Sequence, residues 1–377
     1  MSLPLLLVLF FIYCYSLLIL LFYMEIEKEP VEEGEQVADP LPLSVIVPLR
    51  NEKDLLPGLF RDLQNQTCPG ELWELIFVDD HSADGTVTEL EALLKSLTRE
   101  DRDIYCFSLP SGISGKKAAI AYGIARAKYE RIVQVDGDCR LGPGFIDSHI
   151  KFQQYHPSDL TAGLVSTREG RGNFLETFER LDLLALMGSA AGSFGAGRPL
   201  MCSGANLSYS KELYRDTRSF DPEHKTPSGD DMFLMIGARK LGRSLAFNTD
   251  REALVLTRPV KNLRSLLAQR IRWGSKSYWY RMSDIQLLAL LVSLTNIAVF
   301  LMPLWMILYA GWWHWLALAL LIKTLADFLL LYRITGISGQ RADLRLFIPV
   351  TLLYYPFFLA SVMGALRGKA RWKRASK

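Results

Sequence analysis

The distribution of hydrophobic residues divides this chain into two apolar ends and a middle in which apolar and polar positions alternate. Residues 3–24 carry no charged side chain, and a run of about 20 apolar residues is long enough to cross a bilayer as a helix. Further apolar runs at 285–310, 312–332 and 345–366 approach the same length. The pattern predicts an integral membrane protein with one helix at the N-terminal end and three at the other.

The first apolar run is predicted to be a retained anchor. A cleaved signal peptide would need a basic n-region and a small-residue cleavage site, and neither is present. The acidic, proline-containing stretch 25–42 follows as a linker. In the run 312–332, Lys323 and Asp327 lie four residues apart on one helix face. This spacing favours an internal ion pair, with a functional intramembrane charge as the alternative.

Between residues 43 and 140, short apolar runs alternate with stretches of helical periodicity. The predicted elements are strands at 43–49, 72–80, 103–109 and 131–138, and helices at 52–66, 86–98 and 116–128. Such an alternation predicts an α/β fold with a mostly parallel sheet and right-handed crossovers. Ligands bind these sheets outside the carboxyl ends of the strands, so polar residues that directly follow strands are functional candidates.

The segment 173–199 begins as a predicted apolar helix and continues with Gly188, Gly192, Gly195 and Gly197. The glycines suggest a flexible connection near the bilayer. Such a connection could steer a lipid or a growing chain, but packing in a core is the default interpretation of an apolar helical face.

Composition and charge add the orientation. Hydrophobic residues make up 50% of the 377 residues, and the formal net charge of +3 is too small to indicate nucleic-acid binding. Basic residues from Arg258 to Arg281 directly precede the first C-terminal run, which predicts a cytosolic middle domain by the positive-inside rule. Three C-terminal spans would leave the basic tail after Arg367 on the other side. A re-entrant last run, interrupted by Pro349 and Pro356, is the alternative.

Cysteines and histidines suggest no metal site. The five cysteines are odd in number and form no C-x-x-C pair, which favours reduced thiols over a disulfide framework or zinc. The five histidines show no H-x-x-x-H spacing and are read as ordinary surface or core residues.

Asp136-Gly137-Asp138 ends the fourth predicted strand. Two carboxylates there offer hard oxygen ligands to Mg²⁺ or Mn²⁺. A divalent ion could bridge a diphosphate and neutralise charge on a leaving group. Asp-Gly is also a common turn pair, so a strand-ending turn is the simpler interpretation of this motif alone.

Asp79 and Asp80 close the second predicted strand, where an uncompensated charge is costly. Their carboxylates could accept hydrogen bonds from a base or a ribose. Helix capping explains Ser82 or Asp84 but leaves the two strand-ending acids without a role. The polar triplet 50–52 follows the first strand, at the same predicted sheet edge.

Two motifs precede predicted helices. Gly115-Lys116-Lys117 offers backbone N–H groups and a lysine to a phosphate, although solvated lysines explain it more simply, since the P-loop pattern is absent. Gly229-Asp230-Asp231 places adjacent acids at a helix start, where the helix dipole favours negative charge. One acid can be structural, and the other can act as a general base toward an acceptor hydroxyl.

Gln269-Arg270-Ile271-Arg272-Trp273 lies in a basic amphipathic stretch just before the membrane. An interfacial helix explains the stretch as a whole. It does not require the spacing Gln-x-x-Arg-Trp.

Taken in order, these motifs resemble the family 2 glycosyltransferases of GT-A fold over about residues 43–275. The matching segments are 47–52 (V-P-x-x-N-E), 78–86 (V-D-D-x-S-x-D-G-T), 136–138 (D-x-D), 203–206 (a small-residue acceptor loop), 229–231 (the acidic pair, as in hyaluronan synthases) and 269–273 (Q-x-x-R-W). The last is most familiar from membrane synthases of cellulose, chitin, hyaluronan and poly-N-acetylglucosamine, and from ceramide glucosyltransferases. Arg50 stands where many members have Tyr, and Ala121 where G-K-x-x-A-L-N would have Asn.

The resemblance implies a division of the chain. The expected parts are a transmembrane anchor at 1–24, an acidic linker at 25–42, a GT-A catalytic domain at 43–257, basic interfacial helices at 258–284, transmembrane segments at 285–366 and a basic tail at 367–377.

The resemblance also implies roles for single residues, with Mg²⁺ or Mn²⁺ as cofactor. Asp136 and Asp138 would hold the metal, and Asp231 would be the catalytic base. The donor-binding residues would be Pro48, Asn51, Glu52, Asp79, Asp80, Lys116 and Asp136. The residues toward acceptor or diphosphate would be Asp230, Gln269, Arg272, Trp273, Ser203 and Gly204.

The implied activity is inverting transfer of a sugar from a nucleotide-sugar, a UDP-sugar by resemblance, to a hydroxyl of a membrane-associated acceptor. Polysaccharide extension, for which partner subunits could serve export, and transfer of a single sugar to a lipid both remain open. A non-catalytic scaffold that binds nucleotide-sugar is the third reading, which the acids at Asp136, Asp138 and Asp231 disfavour.

Overall fold

A computed structural model gives the fold and describes residues 3–26, 39–96, 103–168, 170, 172–221, 229–276, 280 and 282–367. These residues form two compact units. The sheet unit lies within 27–168 and 201–258. The helical unit lies within 1–26, 169–200 and 259–377. The basic tail beyond Arg367 lies outside the described residues.

The sheet unit is built on strands whose backbone bonds follow the predicted order. The strands are β1 Leu43–Leu49, β2 Trp73–Asp79, β3 Asp103–Ser108, β4 Arg131–Gln134, β5 Arg140–Leu141, β6 Leu160–Gly163, β7 Val165–Thr167, β8 Leu207–Ser210, β9 Leu245–Asn248 and β10 Val255–Thr257. The larger sheet has the order β3-β2-β1-β4-β8-β6-β9, and a smaller one has the order β5-β10-β7. In the larger sheet only β8 runs antiparallel to its neighbours β4 and β6. The predicted α/β, mostly parallel fold is confirmed.

Helices occupy both units. They are α1 Leu3–Glu25, α2 Leu56–Gln64, α3 Thr86–Lys95, α4 Lys116–Ile124, α5 Phe145–Tyr155, α6 Phe174–Gly195, α7 Lys211–Thr217, α8 Asp230–Lys240, α9 Leu263–Gly274, α10 Ser283–Phe300, α11 Met302–Leu308, α12 Trp313–Ile337 and α13 Phe347–Leu366. The helical unit contains α1, α6 and α9 to α13, and the sheet unit contains the others.

The predicted elements exist, but several are shorter than predicted. Helix α2 begins at Leu56 because a turn precedes it, in which the Leu55 amide donates to the Glu52 carbonyl at 2.9 Å. Strand β4 ends at Gln134 because the chain turns directly afterwards, with the Cys139 amide donating to the Asp136 carbonyl at 3.2 Å. Asp136-Gly137-Asp138, the DGD turn, therefore lies beyond the strand. Residues 97 and 98, the end of the predicted helix 86–98, lie outside the described residues.

The central strands β1 and β2 hold the core of the sheet unit. Every residue of β2 is buried, and so are six of the seven residues of β1. Helix α4 packs closely on this layer, because a Cβ at Gly123 would lie 2.8 Å from the Ile46 side chain. A buried parallel centre places the carboxyl ends of β1, β2 and β4 at one edge.

In the described part of the helical unit, four helical segments are long and apolar enough to cross a membrane: Leu3–Glu25, Ser283–Phe300, Ala310–Ile337 and Arg341–Leu366. The first C-terminal segment is shorter than the predicted run 285–310. The helix is interrupted at Leu301, which lies between α10 and α11. Pro303, in the first turn of α11, has no N–H to continue the preceding helix.

The prediction of a flexible glycine connection in 173–199 is wrong. Gly188, Gly192 and Gly195 lie inside α6. A Cβ at Gly192 or Gly195 would overlap the backbone of α1 at Phe22 or Glu25. The glycines allow close approach of two helices, which confirms the packing interpretation. Only Gly197, with a φ of 68°, serves the turn after the helix.

Candidate active site

The carboxyl ends of β1 and β2 are joined by an ion pair. Arg50 Nη1 lies 2.6 Å from Asp80 Oδ2, with the Asp80 side chain 4% exposed and that of Arg50 46% exposed. The Asp80 amide donates to the Leu49 carbonyl at 2.8 Å, which fixes the start of the loop after β2. Arg50, the residue that departs from the family pattern, thus neutralises one of the two acids assigned to the donor.

Asn51 and Glu52 hold the two loops together. Asn51 has a φ of 57°, in the left-handed region that Asn tolerates. Its amide donates to Ser82 Oγ at 2.9 Å, and its side-chain oxygen accepts from the Ala83 amide at 2.9 Å. The Glu52 amide donates to Thr86 Oγ1 at 2.9 Å. These contacts give Asn51 a framework role, and its donor-binding role stays a prediction.

Asp79 and Asp80 each keep one buried oxygen without a partner. Asp79 Oδ2 accepts from the Ser82 amide at 3.1 Å. Among the described residues, Asp79 Oδ1 and Asp80 Oδ1 have no hydrogen-bond partner. A buried carboxylate oxygen without a partner carries a desolvation cost of about 1–3 kcal/mol. A donor group of a ligand would remove that cost.

The DGD turn packs against the end of β1. A Cβ at Gly137 would lie 2.8 Å from Leu49 Cδ2 and 3.3 Å from the Pro48 carbonyl oxygen, so only glycine fits without movement. Asp136 Oδ1 lies 2.5 Å from Lys116 Nζ at the start of α4. The predicted lysine and the predicted metal motif are therefore direct neighbours.

The electrostatics identify which acids surround Lys116. Burial acts to lower the pKa of Lys116, but the charges of Asp136, Asp230 and Asp231 outweigh it and raise that pKa. Burial raises the pKa of Asp136; Lys116 opposes that shift, and the charges of Asp138 and Asp230 add to it. A single lysine thus faces several carboxylates, and the pocket has excess negative charge.

Asp230 and Asp231 reach this pocket from the first turn of α8. Gly229, with a φ of 100°, makes the left-handed turn before the helix. Asp231 Oδ2 accepts from the Gly204 amide at 3.0 Å, and Asp231 Oδ1 accepts from the Met232 amide at 2.8 Å. The predicted acceptor loop and the predicted base are in contact.

Gln134, which the motifs did not single out, connects these parts. Its Nε2 donates to the Gly204 carbonyl at 2.9 Å and to Asp230 Oδ2 at 3.1 Å. Its Oε1 accepts from the Tyr209 hydroxyl at 3.1 Å. The sequence signal that was available is a single amide, Gln134, between the apolar residues Val133 and Val135 and two positions before Asp136.

The residues of the predicted acceptor loop, 203–206, differ in exposure and in their hydrogen-bond partners. Ser203 is part-exposed, and its Oγ accepts from the Ala205 amide at 3.4 Å. Asn206 is fully buried and donates to the carbonyls of Leu164 at 2.9 Å and Ala253 at 2.7 Å. Asn206 belongs to the framework, while the residues before it border the pocket.

The carboxylates of the DGD turn suit a divalent ion only if a bound ligand supplies further oxygen atoms to its coordination. Within the described residues, no group of three or more His, Cys, Asp or Glu side chains could hold a metal. Mg²⁺ is commonly bound by one or two carboxylates together with substrate phosphates and water. Asp136 and Asp138 suit that mode, in which the nucleotide completes the coordination.

Gln269, Arg272 and Trp273 lie on α9, in the helical unit. All three are part-exposed. Arg270, between the motif positions, donates through Nη1 to Gln269 Oε1 at 2.9 Å and stacks 4.3 Å from the centre of the Trp273 ring.

Comparisons with known proteins agree with this architecture. Residues 44–218 match the family model described as glycosyl transferase family 2. The poly(ribitol-phosphate) beta-glucosyltransferase of Bacillus spizizenii is 26% identical over 213 residues, which cover 55% of this chain and 31% of that protein. The dodecaprenyl-phosphate galacturonate synthase of Rhizobium johnstonii is 29% identical over 147 residues, which cover 39% of this chain and 42% of that protein. The chain thus spans less than half the length of these relatives.

Among solved structures, a mannosyltransferase from Pyrobaculum calidifontis, in complex with GDP-Man and Mn²⁺, has the same fold. The TM-score is 0.57 at 15% sequence identity, over 96% of this chain and 99% of that one. At that identity the likeness concerns the fold alone.

Proposed function

We propose that this chain, whose residues 44–218 match the model of glycosyl transferase family 2, is an inverting glycosyltransferase of that family. It moves a sugar from a nucleotide-sugar, with UDP-sugar as the first candidate, to a hydroxyl of a membrane-associated acceptor. The catalytic domain faces the cytosol, where nucleotide-sugars are made.

The convergence of acids around Lys116 carries the proposal. Lys116 lies 2.5 Å from Asp136 and within electrostatic range of Asp230 and Asp231. Gln134 bonds both Asp230 and the loop that holds Asp231. A scaffold that only binds a nucleotide has no need for a second acidic pair opposite the first. A transferase needs such a pair, since one acid must take a proton from the acceptor.

Asp231 is the proposed base. Its carboxylate takes the proton of the acceptor hydroxyl as the hydroxyl oxygen forms a bond to the anomeric carbon. On the opposite side, the bond from that carbon to the diphosphate oxygen breaks, and the electron pair leaves with the diphosphate. The amides of Gly204 and Met232 hold the carboxylate in place during this step. One displacement inverts the anomeric configuration.

The donor is held at the sheet edge. The unpartnered oxygens of Asp79 and Asp80 accept hydrogen bonds from the nucleoside. Lys116 stabilises negative charge on the diphosphate. Asp136 and Asp138 would hold Mg²⁺ or Mn²⁺, which when bound would supply Lewis-acid stabilisation of the leaving diphosphate. By family resemblance Gln269, Arg272 and Trp273 serve the acceptor and the diphosphate.

The acceptor is proposed to be a lipid or a polymer of the cell envelope. The relatives named above act, by their names, on poly(ribitol-phosphate) and on dodecaprenyl-phosphate. Undecaprenyl-phosphate 4-deoxy-4-formamido-L-arabinose transferases of Salmonella are 30% identical over 103 residues. Four apolar helical segments would keep the enzyme at the bilayer in which such acceptors lie.

A panel of nucleotide-sugars offered to the purified full chain with Mg²⁺ or Mn²⁺, followed by mass analysis of products, tests the proposal. Acceptors are polyprenyl phosphates, glycolipids and polyol-phosphate polymers. One product with a single added sugar identifies a lipid glycosyltransferase, and a ladder identifies a polymerising enzyme, for which export subunits are then expected. Absence of both transfer and donor hydrolysis across the panel would reject the proposal in favour of a binding scaffold.

A further inference from the structure

Helix α6 carries two buried acids that face the approach to the Q-x-x-R-W segment. Glu179 and Asp182 are three residues apart, which places them on the same helix face. Both residues belong to the helical unit, as does α9. Glu179 Oε2 accepts from the Val260 amide at 2.8 Å, shortly before α9 begins. The first contact thus fixes where the chain enters α9.

Asp182 makes the second contact, with Arg270 in the middle of α9. Arg270 Nε donates to Asp182 Oδ2 at 2.7 Å, and Nη2 lies 2.6 Å from the same oxygen. The side chains are 9% and 6% exposed. Charge-assisted bonds of this kind, shielded from water, hold a side chain in one orientation.

Arg270, which Asp182 holds in place, contacts two residues of the Q-x-x-R-W motif. Its Nη1 donates to Gln269 Oε1 at 2.9 Å. Its guanidinium stacks on the Trp273 ring at 4.3 Å. A planar guanidinium can donate sideways and stack on a face at once, which a lysine ammonium cannot do. One arginine, itself fixed by Asp182, therefore orients both Gln269 and Trp273.

We propose that Asp182 is a positioning residue for the transfer reaction, acting through Arg270 to set the side chains of Gln269 and Trp273. The inference rests on the proposed function, in which these motif residues serve the acceptor. Asp182 does not touch the substrate. Its role differs from that of a bundle-stabilising ion pair because its loss disturbs the motif side chains even where the protein stays folded.

The same helix offers a matched control. Arg180 Nη1 lies 3.2 Å from Asp343 Oδ2, with side chains 5% and 13% exposed. This pair joins α6 to the turn before α13, whereas the pair of Asp182 and Arg270 joins α6 to α9. Asp343→Asn and Asp182→Asn each remove one carboxylate charge from a pair that joins α6 to another element.

The first test compares steady-state kinetics of the full chain in detergent or nanodiscs. Asp182→Asn is expected to raise the acceptor KM or lower kcat by between about tenfold and a hundredfold, as for a small misplacement of a reacting group. The donor KM stays unchanged. Arg270→Lys retains the charge pair but not the stacking fork, and is expected to show the same acceptor-side loss. Asp343→Asn is expected to lower the Tm comparably with normal acceptor kinetics.

The second test does not depend on turnover. The difference in emission between each variant and the same variant carrying Trp273→Phe isolates Trp273 among the eight tryptophans. Acrylamide quenching of that signal is expected to rise in Asp182→Asn and Arg270→Lys, and not in Asp343→Asn. Equal quenching in all three variants, or equal acceptor kinetics in Asp182→Asn and Asp343→Asn, would overturn the inference. A wild type that transfers no sugar rejects the proposed function, and the quenching test still decides the inference.

Discussion

Two lysine–aspartate pairs in this protein have nearly the same length and opposite surroundings. Lys116 lies 2.5 Å from Asp136 at the sheet edge, and Lys323 lies 2.6 Å from Asp327 in α12. Lys323 is 1% exposed, and its Nζ also donates to the Tyr355 hydroxyl at 3.1 Å. The second oxygen of Asp327 accepts from the Tyr15 hydroxyl at 2.9 Å. The pair in α12 is neutral overall, and both carboxylate oxygens have partners.

The pair at the sheet edge is not balanced. The charges of Asp230 and Asp231 act on Lys116 together with that of Asp136, and Asp138 adds a further negative charge beside Asp136. The comparison teaches how to separate structural from functional buried charge. A neutral pair whose two carboxylate oxygens both have partners stabilises the packing of helices, whereas a cluster of acids around a single lysine is a candidate site for a ligand of positive charge.

The largest expected effect comes from breaking the neutral pair. Asp327→Asn leaves the Lys323 ammonium buried without a counter-charge, which is expected to cost about 3–5 kcal/mol of unfolding free energy. Reversible unfolding in mixed detergent measures it. Asp147→Asn, which removes an exposed ion pair with Lys151 on α5, is the control and should change stability by less than about 1 kcal/mol. Equal losses in the two variants would remove the structural role of the α12 pair.

Removing an acid from the unbalanced cluster should affect catalysis and leave stability nearly intact. Asp231→Asn keeps an acceptor for the Gly204 amide but cannot take a proton. Transfer is expected to fall by about two orders of magnitude or more, with donor affinity retained. Single-turnover transfer and nucleotide binding measure the two quantities, and Asp216→Asn at the surface serves as control. Near-normal transfer would reject Asp231 as the base.

A buried histidine extends the comparison, because its protonated form would be a buried cation on which the nearby charge of Asp250 acts less strongly than burial does. Burial, with a contribution from Arg131, lowers the pKa of His149 to about 4. The unfolded chain has a His pKa near 6.5, so it binds more protons between these values. Stability is therefore complete above about pH 6.5 and falls as the pH drops toward 4.

The expected loss between pH 7 and pH 4.5 is about 2 kcal/mol for this one group. His149→Gln, which keeps a donor for Asn206 Oδ1, should flatten this part of the curve. Denaturant unfolding at a series of pH values measures both proteins. A wild-type curve as flat as that of the variant would show that His149 titrates normally.

The smallest effect is expected at the metal motif. Asp138→Ala removes one of two proposed carboxylate ligands. The Mg²⁺ or Mn²⁺ concentration for half-maximal transfer is expected to rise roughly tenfold, the equivalent of about 1.4 kcal/mol. Asp138→Asn, which keeps one oxygen ligand, should show a smaller rise. Full activity of the wild type in EDTA would contradict a metal at this turn.

Much of the candidate site could be predicted because its signals are local. Val, Ile and Leu runs indicated β1 and β2, and the acids that follow them lie at one edge because parallel strands end together. Asp136 and Asp231 were identified from motifs a few residues long. Gln134 was missed because a single amide in an apolar strand has no motif, and its bonds to Gly204 and Asp230 join residues 70 and 96 positions away.

The glycines of α6 show where a prediction from neighbouring residues in the sequence is wrong. Gly192 and Gly195 look like breaks in a helix, since glycine costs about 1 kcal/mol there relative to alanine. The backbone of α1 lies so close that a side chain would not fit, and the packing outweighs the propensity. No pattern near residue 192 indicates that Phe22 lies against it.

The sequence by itself determined the apolar helical segments, the order of strands and helices and the acids at the strand ends, because periodicity and turn chemistry depend on near neighbours. The tertiary structure alone decided that Lys116 faces three acids, that Asp182 holds Arg270 and that α6 packs on α1. These contacts join residues far apart in the chain. Charge balance and close packing depend on which residues lie within a few ångströms of each other in space. Local patterns along the chain do not specify those neighbours.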